Sequence, residues 1–211
     1  MKKFAMLLAA GVIAFGASAQ AASVASTDTY AVITIPVVAG DNLIGVSVDP
    51  LAANATLSAY LPSVDSVKVA DEGGYVTTNA TQFVPGPGDA FWYNAKGDGK
   101  LYEIGKDRST AATVPLAGAT LVATGKTTDW TPSAINSVFG VNSGVSANKY
   151  ANMINIWDPT TSKYIQLWYR ANTGWFNRAN GQRVDETYKI HPGQGVILRP
   201  GFANEATSVS L

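Results

Sequence analysis

The sequence predicts an all-β fold: two related halves forming a sandwich or barrel-like pair of sheets, each half with one short helix. Three observations lead there. The chain is rich in Val, Thr, Tyr, Trp, Gly and Asn and sparing with Glu, Lys and Leu, the reverse of a helical composition. Short β-prone runs alternate with turn residues along its length. A glycine loop followed by a strand-like run occurs twice, as Pro85-Gly-Pro-Gly-Asp-Ala-Phe-Trp-Tyr93 and as Pro192-Gly-Gln-Gly-Val-Ile-Leu-Arg199.

Lys2 and Lys3 precede a short apolar run, which ends in Ala17-Ser-Ala19 and the overlapping Ala19-Gln-Ala21. A basic start, an apolar centre and a small-residue exit make residues 1–21 a secretory signal peptide. Residues 22–29 are then a loose leader. Residues 30–211 form one β domain, its halves spanning about 30–110 and 111–211. Removing Lys2 and Lys3 from the 15 basic residues leaves 13 against 15 acidic ones, without a basic cluster. Such a surface lacks the electrostatic footprint of a nucleic-acid binder, and no later apolar run reaches the ~20 residues of a membrane span. The chain has no Cys, so an exported product rests on packing alone.

In the first half, Tyr30-Ala-Val-Ile-Thr-Ile-Pro-Val-Val38 reads as a strand, and Pro36 places it at a sheet edge or bulge. After Ala39-Gly40-Asp41, the run Asn42–Val48 alternates Leu43, Gly45 and Ser47 with Ile44, Val46 and Val48. Asp49-Pro50 is the expected start of the short helix, with Leu51, Ala55 and Tyr60/Leu61 inward. A strand over Val64–Ala70 turns at Gly73-Gly74 into Tyr75–Thr78. Lys96-Gly-Asp-Gly99 has the composition of a hairpin turn.

The second half repeats this order. Ala117-Gly118 matches Ala39-Gly40, Thr131-Pro132 matches Asp49-Pro50, and Ile154-Asn-Ile-Trp-Asp158 matches Val67-Lys-Val-Ala-Asp71. Ile135, Val138 and Phe139 are the expected apolar side of the second helix. About twenty extra residues separate the third strand from the glycine loop in this half.

Ala39-Gly-Asp-Asn-Leu-Ile-Gly45 and Gly86-Pro-Gly-Asp-Ala-Phe-Trp92 resemble a module of uncharacterised exported bacterial β-rich repeat proteins. There a Gly-Trp-Asn-Leu-Ile-type strand precedes a Gly-x-Gly-Tyr/Phe-Trp strand; here Asp41 stands in the Trp position. The resemblance implies an extracellular or periplasmic location and transfers no catalytic residues.

The aromatic stretch from Trp157 to Asn177 is the candidate functional region. Asp158-Pro-Thr-Thr-Ser162 is a turn cluster, so its flanks read as a hairpin. Tyr164, Gln166 and Trp168 share one face of the second strand; Ile165, Leu167 and Tyr169 share the other. Trp157, Tyr164, Gln166, Trp168, Trp175 and Arg178, with Asn172 and Asn177, form a candidate contact surface for protein or glycan. Aromatic rings fill cores equally well.

His191 is the only histidine and lies in a turn, no Gly-x-Ser-x-Gly occurs, and acidic residues lack calcium-loop spacing. No catalytic, metal or cofactor set is expected, and the chain reads as a non-enzymatic structural or adhesive surface module. Its expected partners are other surface proteins, itself or polysaccharide. A carbohydrate-binding module is the alternative. A carboxylate-based glycoside hydrolase is the second, with Asp185-Glu186 the densest acidic pair of the aromatic half.

Overall fold

Each half supplies one antiparallel sheet, and the two sheets have the same strand order. The computed structural model describes residues 29–71, 74–86, 88–108, 113–115, 118–136, 152–170, 173–200 and 208–210. The expected signal peptide, all but Thr29 of the leader, and Val138, Phe139 and Asn172 lie outside the described residues. So does the Ile135 side chain.

The first half contributes β1 (Tyr30–Val37), β2 (Gly40–Gly45), α1 (Leu57–Tyr60), β3 (Ser66–Asp71), β4 (Gly74–Asn79), β5 (Ala90–Ala95) and β6 (Gly99–Lys106). The second contributes β7 (Thr113–Pro115), β8 (Thr120–Ala123), α2 (Pro132–Asn136), β9 (Met153–Asp158) and β10 (Lys163–Arg170), followed by β11 (Gly174–Asn177), β12 (Gly195–Arg199) and β13 (Ser208–Ser210). One sheet runs β2-β5-β3-β4 and the other β8-β12-β9-β10, with β11 added beyond β10. All pairings are antiparallel. The added strand lies within the extra residues of the second half. Two further two-stranded sheets pair β1 with β6 and β7 with β13. Single bridges, Ile44 to Gln194 and Asp89 to Val122, join the sheets at two corners without closing a barrel.

The expected hairpin at Lys96–Gly99 is not one. β5 pairs with β2, whereas β6 pairs with β1. Val37 faces Gly99 and Gly40 faces Ala95, so residues 38–39 lie opposite residues 96–98. The mismatch acts as a bulge that bends one long ribbon into two segments. Buried Asn42 holds this bend: its Nδ2 donates to the Val38 and Gly40 carbonyls (2.8 and 2.9 Å), and its Oδ1 accepts from Val38 N (3.1 Å). Pro36 sits in β1, whose one partner among the described residues is β6, as an edge position requires.

The first helix start also differs from expectation, whereas the second helix begins at Thr131-Pro132 as expected. Asp49 forms a two-way bridge with Lys106 (2.9 Å each way), and Leu51 is half exposed. The first turn of helix follows Thr56 instead. Thr56 Oγ1 meets Ser58 Oγ (3.0 Å), and Ala59 N donates to Thr56 O (2.9 Å). Thr131 Oγ1 meets Ser133 Oγ (3.0 Å), and Ala134 N donates to Thr131 O (3.0 Å). The matching segments are therefore Thr56-Leu-Ser-Ala59 and Thr131-Pro-Ser-Ala134.

The glycine loops align two residues away from the Pro-Gly-x-Gly register. Asp89 N donates to Gly86 O (3.1 Å), and Gln194 N donates to His191 O (3.0 Å). Gly86 N donates to Asp89 Oδ2 (2.7 Å), and His191 N donates to Gln194 Oε1 (3.2 Å). Gly88 and Gly193 occupy the third turn position with φ of 84° and 79°. A proline before a positive-φ glycine is the type II signature, carried here by Pro192-Gly193; Pro87 lies outside the described residues.

Each turn reaches across to the other half. Gly45 N donates to Gly193 O (3.1 Å), and Ala123 N donates to Gly88 O (2.7 Å). Between the sheets pack Leu43, Ala90, Trp92 and Ala123, with Leu121, Trp157 and Ile197 against them. The outer face of the first sheet buries Ile44, Val46, Val67 and Phe91 under α1 residues Leu57 and Tyr60 and ribbon residues Ile35 and Leu101. The outer face of the second buries Ile154, Ile156, Leu167 and Trp175 beneath Trp130 and Ile190.

Buried Glu103 ties the ribbon to this junction. Its Oε1 accepts from Ser47 N (2.6 Å) and Val48 N (3.3 Å), while Ser47 Oγ accepts from Gly193 N (2.6 Å). Burial pushes the Glu103 carboxyl from 4.5 up to about 7, against the smaller downward pull of those two N–H groups. Burial, then the charges of Asp49 and Glu103, raises the nearby Tyr60 hydroxyl to about 12.

Two outcomes follow from this packing. A Cβ at Gly45 would overlap that of Ala123 and lie 2.6 Å from the Asp89 carbonyl oxygen. Gly45→Ala is expected to cost about 2 kcal/mol in urea denaturation. Adding Ala123→Gly should restore only part, because the carbonyl contact remains. Because the folded carboxyl of Glu103 titrates above its unfolded value, the native state binds more protons between pH 4.5 and about 7. Stability should fall by about 3 kcal/mol as pH rises through that window. Thermal melts of Glu103→Gln at pH 5 and pH 8 should lack this component.

Candidate functional site

Asp158 shapes the turn of the aromatic hairpin by accepting from Thr160 N (3.0 Å) and Thr161 Oγ1 (2.8 Å). The antiparallel register sets Trp157 opposite Tyr164, Asn155 opposite Gln166, and Met153 opposite Trp168. Leu167 and Tyr169 point into the core, while Tyr164, Gln166 and Trp168 lie on the opposite face and are partly exposed.

That face splits into two surfaces. At one end Trp157 forms edge contacts with Trp92 (5.2 Å between ring centres) and Tyr164 (5.1 Å), and its Nε1 donates to Asp41 O (2.7 Å). Tyr75 on β4 touches Trp92 in turn (6.4 Å). Burial, then the neighbouring Tyr75, raises the Tyr164 hydroxyl above its ordinary value. The result is an aromatic strip crossing both halves, capped by exposed Tyr75 and Tyr164. Sequence reasoning missed Tyr75 because its contact with the hairpin arises only through sheet packing.

Farther along, Arg178 Nη1 donates to Gln166 Oε1 (2.7 Å), and Gln166 Nε2 donates to Asn155 Oδ1 (3.3 Å). Tyr164, Gln166, Asn177 and Arg178 line an open depression of about 390 Å³. Trp168 leans on its cross-strand neighbour Phe176 (5.8 Å). Trp175 does not join these rings. It is fully buried in the second-sheet core, because β11 turns alternate side chains to opposite faces.

A second, mainly apolar groove of about 480 Å³ runs between residues 32–36 of β1, Leu43, Trp157, Pro159, His191 and Gln194. His191 Nδ1 lies 2.9 Å from Asp129 Oδ1, and Thr34 carries the one hydroxyl of the groove's lining. The Asp129 carboxyl is held below its usual range, first by the His191 hydrogen bond. Asp185 Oδ1 accepts from Trp175 N (2.8 Å) and its Oδ2 pairs with Arg183, while Glu186 accepts from Ser133 Oγ. Both carboxylates brace the fold where β11 meets α2.

Among the described residues, no three His, Cys, Asp or Glu side chains gather as a metal site, and no helix is long and apolar enough to cross a membrane. Comparison with protein-family models, curated proteins and solved structures finds no match to this chain.

Proposed function

We propose that this chain is an exported, non-enzymatic structural or adhesive module that works through protein contacts at the cell surface or in the periplasm. The signal-type residues 1–21 support export, and the two sheets of equal strand order support descent from a duplicated unit. One observation carries the contact role. The outer face of the β1/β6 ribbon leaves Tyr30, Val32, Tyr102 and Ile104 at 60%, 64%, 51% and 38% exposure. Val32 pairs directly with Ile104, so these side chains form a contiguous ladder. An apolar ladder of this kind, with Lys100 and Lys106 on the same strand, has the character of an interaction surface.

Retention of the purified mature protein on cell-envelope fractions tests the reading. Val32→Glu combined with Ile104→Lys, which sets opposite charges across the pair, should reduce retention at least tenfold with a melting temperature close to that of the wild type. Wild-type protein that neither binds envelope material nor associates with itself would defeat it.

Glycan binding is the second reading, supported by the depression beside Tyr164. An aromatic rim beside the Gln166 amide and the Arg178 guanidinium offers one stacking face and several hydrogen-bonding groups to a sugar ring. Titration with plant, fungal and bacterial polysaccharides, followed by Trp fluorescence, should show binding that Tyr164→Ala weakens about tenfold. Silence across the panel would retire it.

A further inference from the structure

The two sheets differ at their outer edges, and that difference points to a partner. The second-sheet strand β10 carries β11 along its outer side, paired from Leu167 with Asn177 to Arg170 with Gly174. Its counterpart β4 has the inner neighbour β3 and, among the described residues, no strand on its outer side. The remaining outer edges of the two sheets are engaged. β2 is bridged by Gln194, β8 by Asp89 and β11 by Arg183.

β4 also lacks the devices that keep an edge strand solitary. Its sequence Gly74-Tyr-Val-Thr-Thr-Asn79 contains no charge and no proline. Tyr75 and Val76 are 54% and 47% exposed, and Thr77 and Asn79 are exposed as well. An unprotected edge pairs with any other open edge of fitting length.

We infer that β4 is a self-association edge, pairing antiparallel with β4 of a second copy of this chain about a twofold axis. A second copy fits because, among the described residues, β4 is the unbridged outer edge of the two main sheets, while the outer edge of β1 carries Pro36, which cannot donate to a ladder. Antiparallel pairing of two identical strands is self-complementary, so one patch serves both partners and the assembly closes as a dimer. It would join two four-stranded sheets into one of eight and bring the Tyr75 ends of two aromatic strips together. The inference rests on the reading of a module that acts through protein contacts, and it uses a different surface from the β1/β6 ladder.

Sedimentation velocity of the mature full-length protein across a concentration series is the test, beside Thr77→Lys. The wild type should show a concentration-dependent dimer, and Thr77→Lys should weaken it at least tenfold with only a small drop in melting temperature from the like charge on cross-strand Lys68. Because the chain has no Cys, single thiols at positions 75 to 78 provide a second readout under mild oxidation. Disulfide-linked dimer should peak at one or two adjacent positions, near the axis. Equal crosslinking at all four positions, or a dimer indifferent to Thr77→Lys, would overturn β4 pairing while leaving the adhesive reading intact. A wild type monomeric at every concentration overturns β4 pairing too, and envelope retention then decides the adhesive reading separately.

Discussion

Close approach of the two sheets at Gly45, Ala123, Ala90 and Gly195 is the constraint on which the other features depend. These positions face one another across the junction with room for few side-chain atoms. A Cβ at Gly195 would lie 3.0 Å from that of Ala90 and 2.9 Å from Leu43 Cγ. Each close approach pairs a glycine with an alanine. Two alanines would push the sheets apart and cost the carbonyl exchange between Gly45 and Gly193 and between Ala123 and Gly88. Unpaired buried backbone groups carry a cost of their own. Small side chains and reciprocal hydrogen bonds thus depend on the same separation.

Around that junction the polar groups form a connected set. Glu103 accepts from the backbone N–H groups of Ser47 and Val48, Ser47 Oγ accepts from Gly193 N, and Thr124 Oγ1 lies 3.2 Å from the same hydroxyl. The ribbon, the first strand of the first sheet and the turn of the second half are therefore coupled. Burying a carboxyl there is costly when ionised, and that cost appears as the raised titration of Glu103. The set is only partly satisfied: among the described residues Glu103 Oε2 is buried without a hydrogen-bond partner, which adds to the cost of the ionised form.

The outward surfaces follow from the same geometry. Bending the long ribbon at residues 38–39 and 96–98 turns its β1/β6 segment away from the sheet, leaving one face against the core and the other exposed. Packing the sheets brings Trp92 of one half against Trp157 of the other. The aromatic strip is thus a product of assembly, with rings from both halves. Trp157 serves it and the groove beside β1 together.

From the amino-acid order alone came what depends on neighbours in the chain. The two-residue alternation separated Ile44, Val46 and Val48 from Leu43 and Gly45, and the turn cluster at Asp158 located the aromatic hairpin with its two faces. Composition excluded a helical fold, and Pro36 marked an edge strand. Local chemistry sets these features, so a short window contains them. Tertiary structure alone decided which strands pair beyond the local hairpins. Lys96–Gly99 has hairpin composition but joins strands of different pairs, because a bulge redirects the ladder. Asp49-Pro50 has a helix-start composition, yet Asp49 is recruited by Lys106 across the ribbon. Trp175 and Trp168 look alike as exposed aromatics until the sheet's covering segment buries one of them. The matched turns, Gly86–Asp89 and His191–Gln194, show themselves only through the carbonyls they offer to the opposite half. Pairing energies between distant segments outweigh local turn and cap preferences, and those distant partners are not written beside the residues they meet.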